Sequence, residues 1–369
     1  MNGLGVTGMN NSNSWGLYIT MFMLFVGLSA GGLIVASSAH VFHIEPFKKV
    51  AVPAVIVSLV CICCAGIFVL VDLGGIARVW RIVTGPNLAS PLLWDIVVIT
   101  TYLVINVLDL VWLVKGDHRK VEVLSRVALP VAILVHSVTA WIFGLQIAKA
   151  WYSAIMAPIF VASACDSGLA LLLVSLMILD KVGLFKLEDG LMQSLAGLLA
   201  CFIAVDAFFI GCECLTMAYP GAHEAQALGI MVGGVTAPFF WVEILLGLLV
   251  PFCVLVFAKN RKNRKLVTVA SVLVILGVFC KRVWLLFTSF VVPNVLGGPG
   301  ITTGNSAALA DPTATWTAYG AYAPTAPEIV IAVGVVSLGV AAAMALCHKL
   351  LGKADSQPAA AAQAEPAAA

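Results

Sequence analysis

Charge is what this sequence has least of. Asp, Glu, Lys and Arg make up 10% of its 369 residues, while 62% are hydrophobic. A water-soluble domain carries roughly a quarter charged residues, so lipid must solvate most of this surface. The net charge is only +2 and no basic run has aromatics interleaved, which excludes nucleic acid as a partner. Histidine is scarce as well. Of the six, His43, His118, His223 and His348 fall in loops or at helix ends, His40 lies near the end of the first apolar run, and only His136 sits deep inside one. A transmembrane haem held by paired histidines therefore lacks its ligands. Ten cysteines are present, but Cys61, Cys63, Cys64, Cys165, Cys201, Cys253 and Cys280 lie within apolar runs. The C-x-x-C of Cys61–Cys64 and the C-x-C of Cys212–Cys214 do not supply four thiolates at the loop-like spacing of an Fe–S cluster. They read as ordinary membrane-helix cysteines, and no haem or Fe–S centre is expected in this chain. The N-terminus lacks a basic segment and a small-residue cleavage site, so the first apolar run reads as a true span rather than a cleaved signal.

What is present in quantity is long hydrophobic runs. A spanning helix needs about 20 mainly apolar residues, because lipid cannot satisfy backbone polar groups. Nine segments qualify, at about 15–40, 50–73, 94–114, 127–149, 154–180, 191–217, 231–257, 266–292 and 328–350. The expected fold is an all-α integral membrane protein. Residues 1–14 precede the bundle, 15–292 hold the first eight helices, 293–327 form a loop rich in Gly, Pro, Thr and Ala, and the Ala/Pro-rich tail 351–369 is expected to be disordered. Fifteen of the twenty Lys and Arg residues follow the odd-numbered spans. By the positive-inside rule the N-terminus is outside and the C-terminus cytoplasmic. The longer outer loops, about 74–93, 218–230 and 293–327, serve either to dock a partner or cover a site, or as connectors.

Ionisable residues inside the hydrocarbon region are costly and mark candidate sites. They are His136 on the fourth span, Asp166 on the fifth, Asp206 and Glu213 on the sixth, Glu243 on the seventh, and Lys281 with Arg282 on the eighth. Facing one interior, they form a polar seam through spans four to eight. Such a seam either conducts protons, with His136 best placed by its near-neutral ordinary pKa, or fixes helix register through ion pairs. A second set gathers at the outer edge: Trp15 and Tyr18, Asp72, Arg78 and Arg81, and Trp94 with Asp95. Tryptophan and tyrosine there also serve as interfacial anchors. Paired arginines on the arginine-poor side suit an acidic partner, an ion pair with Asp72 or Asp95, or the carbonyls of a quinone. Gly27–Gly31, with Gly32 beside it, reads as a close helix–helix contact.

The stretches Trp15-Gly16-Leu17-Tyr18 and Phe25-Val26-Gly27-Leu28-Ser29-Ala30-Gly31-Gly32 resemble the first helix of the NrfD/PsrC family, the membrane subunits of polysulfide-reductase-type complexes. So does Pro86-Asn87-Leu88-Ala89-Ser90-Pro91 leading into Trp94-Asp95, with Arg81 upstream. His136-Ser137-Val138-Thr139-Ala140-Trp141, the run from Trp151 to Pro158, and Trp241, Glu243, Gly247 and Pro251 continue the likeness. It covers roughly residues 15 to 290. The resemblance implies a four-helix-bundle core and a multi-pass subunit of a bacterial or archaeal cytoplasmic membrane. It implies quinone or quinol, menaquinone or ubiquinone, as substrate. The implied partners are a four-cluster ferredoxin-type Fe–S subunit and a molybdopterin catalytic subunit. A quinone site near the outer face, with Tyr18, Arg78, Arg81 and Asp95 forming or flanking it, and a proton path including His136 and Asp166 also follow from the likeness. The subunit is either non-catalytic or quinone-reactive. The ninth span and the loop before it depart from the simplest eight-helix pattern. Two other readings stand beside this one: a secondary transporter, for which no convincing inverted repeat is seen, and a structural anchor without quinone chemistry.

Overall fold

The computed structural model describes residues 3–9, 13–147, 149–220, 224–291 and 322–354. Among these, nine helices are long and apolar enough to cross a membrane: α1 Leu17–Val41, α2 Ala51–Asp72, α3 Pro91–Lys115, α4 His118–Gly144, α5 Met156–Val182, α6 Asp189–Ala218, α7 Ala237–Leu255, α8 Arg264–Val291 and α9 Ala326–Leu351. The all-helical membrane fold expected from hydropathy is therefore found. Most of the loop expected at 293–327, the tail beyond residue 354 and His223 lie outside the described residues.

Three boundaries differ by five residues or more from those read in the sequence, one of them the end of α4, which lies at Gly144 and not at residue 149. Helix α4 begins at His118 instead of residue 127, because its charged first turns are helical in their own right. Asp117 caps them, its Oδ1 accepting from the Lys120 backbone N–H at 3.3 Å, and Arg126 bonds Glu122 one turn back at 2.7 Å. Helix α7 begins later, because a separate helix, Ala225–Gly233, is set off from it at Gly234. Within α7, Val242–Leu249 widens to π geometry, a form that recurs at functional sites.

Helix α1 runs through the middle, buried almost along its whole length and packed on α2, α4 and α5. The glycine run reads as a contact and proves to be one. Gly31 meets Gly168 of α5, where a Cβ on Gly168 would stand 2.5 Å from the Gly31 Cα. Helices α7 and α8 meet the same way through Gly247 and Gly277; a Cβ on either would stand 2.5–2.6 Å from the other's Cα. Small residues let backbones approach where lipid offers no hydrophobic drive for association.

The connections after α1, α5 and α7 share one end of the bundle. Lys49 pairs with Glu188 at 2.6 Å and Arg264 with Asp189 at 2.8 Å. The opposite end carries the start of α1 and is closed by α9, whose length packs on α2. There the carboxylate of Glu328, fully buried, accepts from Gly8 N–H at 2.9 Å, the Thr325 N–H at 2.8 Å and the Tyr322 hydroxyl at 2.6 Å. The Tyr322 oxygen in turn accepts from the Leu17 N–H at 2.8 Å, capping α1. Burial and the bond to Glu328 hold the Tyr322 phenol well above its ordinary pKa.

The Gly247–Gly277 contact yields a direct test. Gly277→Leu drives a side chain into the α7 backbone and lowers stability by about 1–3 kcal/mol or more, read as a fall in melting temperature in detergent. Gly66→Ala, whose Cβ meets nothing within 4 Å, leaves the melting temperature unchanged.

Candidate functional site

The buried charges converge. Lys281 on α8 reaches both carboxylate oxygens of Asp206 on α6, at 2.7 and 2.9 Å, and stands 3.5 Å from Glu243 in the π segment of α7. The indole N–H of Trp284, one turn along α8, donates to the other Glu243 oxygen. Asp166 on α5 lies within Coulombic reach of Asp206 and Lys281, and neither of its oxygens has a hydrogen-bond partner among the described residues. Arg282 is also fully buried. Its Nη2 donates to Ser163 Oγ on α5 at 2.7 Å, while its Nε and Nη1 find no partner among those residues. Three acids and two bases are thus withdrawn from solvent together. Fully ionised they carry one excess negative charge, which a single proton on a carboxylate or on His136 cancels. An unneutralised charge in such a medium is costly.

His136 on α4 completes the group. It is buried, faces Gly27 of α1 and lies within Coulombic reach of Arg282 and Lys281. A Cβ at Gly27 would stand 3.3 Å from the His136 ring and 3.7 Å from Arg282, so the glycine leaves room for both side chains. Neither ring nitrogen makes a hydrogen bond of ordinary geometry among the described residues.

An aromatic stack joins this cluster to the end of the bundle where α1 starts. Trp15 stacks on Trp151 at 6.1 Å between centroids and meets Phe143 edge-on at 5.4 Å. Phe143 contacts Phe160 at 6.0 Å. Phe160 then lies 5.6 Å from the His136 ring and 4.1 Å from the Arg282 guanidinium carbon, the latter a cation–π distance. Lys149 stands 4.7 Å from the Phe290 ring beside Trp151, and burial pushes its ammonium pKa down. Of the outer set read in the sequence, Trp15 is thus linked to the buried cluster through Phe143 and Phe160.

The remaining candidates fall elsewhere. Glu213 sits near the α1-start end of α6 and accepts from Ser153 Oγ at 2.8 Å. Tyr18 is buried within Coulombic reach of Asp72 and Glu328. Asp95 turns inward and accepts from Thr139 Oγ1 of α4 at 2.6 Å, whereas its neighbour Trp94 is exposed and donates to the Leu88 carbonyl at 2.9 Å. Arg78 and Arg81 are exposed. No ion pair joins them to Asp72 or Asp95 among the described residues.

A further buried network escaped sequence reasoning. Tyr102 OH lies 3.0 Å from Ser29 Oγ on α1 and 2.7 Å from Ser58 Oγ on α2. Ser58 donates to Asn106 Oδ1 at 2.7 Å. Asp109, also buried, follows on the same helix, its Oδ1 unpartnered among the described residues. The signal was available: Asp95, Tyr102, Asn106 and Asp109 recur at i, i+7, i+11 and i+14, one stripe of α3. An interhelical hydrogen bond in a membrane contributes roughly 0.6 kcal/mol. Tyr102→Phe is therefore expected to cost about 1–2 kcal/mol, seen as a lowered melting temperature, with Thr100→Val on the exposed face neutral.

Residues 5–294 match the family model described as NrfD, polysulphide reductase. The chain is 37% identical to a putative dimethyl sulfoxide reductase membrane subunit of Halobacterium salinarum, over 93% of this chain and 84% of that protein. It is 26% identical to a selenate reductase subunit of Mesobacillus selenatarsenatis, over 80% of this chain and 78% of the other. It is 28% identical to the Hdr-like menaquinol oxidoreductase integral membrane subunit of Archaeoglobus fulgidus, over 79% and 74%. Nine apolar helices and a family match running through the first eight of them lead to one conclusion: the chain is a multi-pass membrane protein and belongs to the NrfD polysulphide reductase family.

Proposed function

We propose that this chain is the membrane subunit of a molybdoenzyme-type respiratory complex. It exchanges electrons between the quinone pool and an Fe–S partner of four-cluster ferredoxin type, beside a molybdopterin catalytic subunit. The names of the relatives support the complex and the quinone link. The observation that carries the reading is the set of unpartnered polar groups at the inner end of the aromatic stack. Among the described residues, Arg282 keeps two donor nitrogens and His136 two ring nitrogens without hydrogen bonds of ordinary geometry, all buried. A buried polar group left unpaired costs about 1–3 kcal/mol, and a quinone head group relieves that cost. One carbonyl oxygen accepts from Arg282, the other faces His136, and Phe160 with Phe143 offers ring surface to the head group. Quinol gives up two electrons and two protons; His136 and the Asp166–Asp206–Lys281–Glu243 cluster receive and hold protons in this reading. The bundle end where α1 starts is the outer face by the positive-inside rule. Arg78, Arg81 and Trp94, exposed on that end, present a surface to the partner.

Two experiments on the intact complex test this. His136→Gln is expected to lower quinol-driven electron transfer ten-fold or more with assembly unchanged. Arg81→Ala is expected to weaken retention of the Fe–S subunit and leave turnover of the assembled fraction intact. Normal quinol oxidation in the His136 variant would remove that residue from the site. In vesicles, Asp166→Asn should reduce the pH change per electron while electron transfer persists; undiminished coupling would make Asp166 structural.

A further inference from the structure

Two cavities meet at one carboxylate. The first is small, about 30 Å³ in volume, and lined by Trp151, Met156, Glu213, Trp284, Thr288 and Ser289 among others. The second is a cleft of about 500 Å³ at the α1-start end, lined by Tyr152, Ser153, Glu213, Thr216, Met217 and Glu224 among others. Glu213 and Met217 line both, and only Glu213 of the two is titratable. The Glu213 side chain is 9% exposed and is oriented by Ser153 from the cleft side.

The small cavity also touches both halves of the candidate site. Trp151 is the ring that stacks on Trp15. Trp284 is the ring whose N–H donates to Glu243, which leads on to Lys281 and Asp206. The cavity has room for about two water molecules, at roughly 10–15 Å³ of such volume each. The Glu213 carboxylate and the hydroxyls of Thr288 and Ser289 supply polar partners on its wall. Indole is a donor without an acceptor site, so Trp284 itself passes no proton.

We propose that Glu213 is the proton-exchange group between the buried site and the aqueous cleft, a role that rests on the quinone reading above. For each quinol oxidised, two electrons pass to the Fe–S partner. The two protons cross the cavity to Glu213 one at a time and leave into the cleft. In quinone reduction the same two protons travel inward. A carboxylate suits the position because it binds and releases a proton on each transit, whereas Met217, the other shared wall, offers no titratable atom.

The test is a single-turnover measurement on the complex in proteoliposomes. Electron arrival is read from the visible absorbance of the Fe–S partner and proton arrival from a pH-sensitive dye on the cleft face. In the wild type the two keep pace. In Glu213→Gln proton arrival is expected to lag ten-fold or more, and Glu213→Asp is expected to return within about two-fold of wild type. Ser153→Ala, which leaves the carboxylate in place but unheld, should give an intermediate lag and serves if the Gln variant fails to assemble. Protons keeping pace with electrons in Glu213→Gln, or in Ser153→Ala where that variant stands in, would overturn the proposal, as would a Glu213→Asp variant as slow as Gln. Absence of quinol-driven electron arrival in the wild type would instead overturn the quinone reading.

Discussion

The fold is organised around the need to compensate Lys281. An ammonium group with no solvent access requires carboxylates within reach, and here they come from two different helices, Asp206 on α6 and Glu243 on α7. That requirement governs the surrounding backbone. Helix α7 must approach α8 closely for Glu243 to reach both Lys281 and Trp284, and the Gly247–Gly277 contact permits it. The π turn lies over the same residues. A buried ion pair adds little net stability over a well-packed apolar core, but removing one partner costs about 3–5 kcal/mol. Net stability alone therefore does not account for the arrangement.

Hydropathy made nearly every span legible, because a lipid solvent imposes a length and an apolar composition on each helix. It failed where charge continued a helix beyond the apolar run, as in the first turns of α4. The buried ionisable residues were legible one by one for the same reason. Their pairings were not, because which acid meets Lys281 depends on helix rotation and packing. The outer set shows the limit most clearly. Trp94 and Asp95 are adjacent in sequence, yet successive helical residues point about 100° apart, so one faces outward and the other reaches Thr139. Phe160, the residue that links the aromatic stack to His136 and Arg282, carries no charge and no motif. Nothing in an apolar run distinguishes it from its neighbours.

Helix α9 stands apart from this interior. The family match ends at residue 294 and α9 begins at Ala326, so it is an addition to the matched region. It packs along α2, with Gly339 against Cys64, and contributes no residue to the ionic cluster. Its contribution is at its first turn. Glu328 gathers the 3–9 segment and Thr325, and through Tyr322 it caps α1, while the Tyr322 ring stacks on Phe287 of α8 at 4.9 Å. The added helix thereby braces the end of the bundle nearest Trp15 and Tyr18, without altering what lies beneath them.

The geometry also separates two tasks that quinone chemistry joins. Electrons need a short distance to an external acceptor, which favours a head group held near the end of the bundle. Protons need titratable groups and water, which a densely packed aromatic stack excludes. Trp151 touches both regimes: one contact is the stack with Trp15, the other the wall of the cavity that Glu213 closes. Phe160 has the matching role a layer deeper, between the rings and the pair His136 and Arg282. Two aromatic residues thus stand where the stack meets the cavity and the buried charges. In the proposed reading a proton goes first to His136 and the acid cluster and then, by way of the cavity, to Glu213. The Trp284 indole, bonded to Glu243 and facing the cavity, stands between those two destinations.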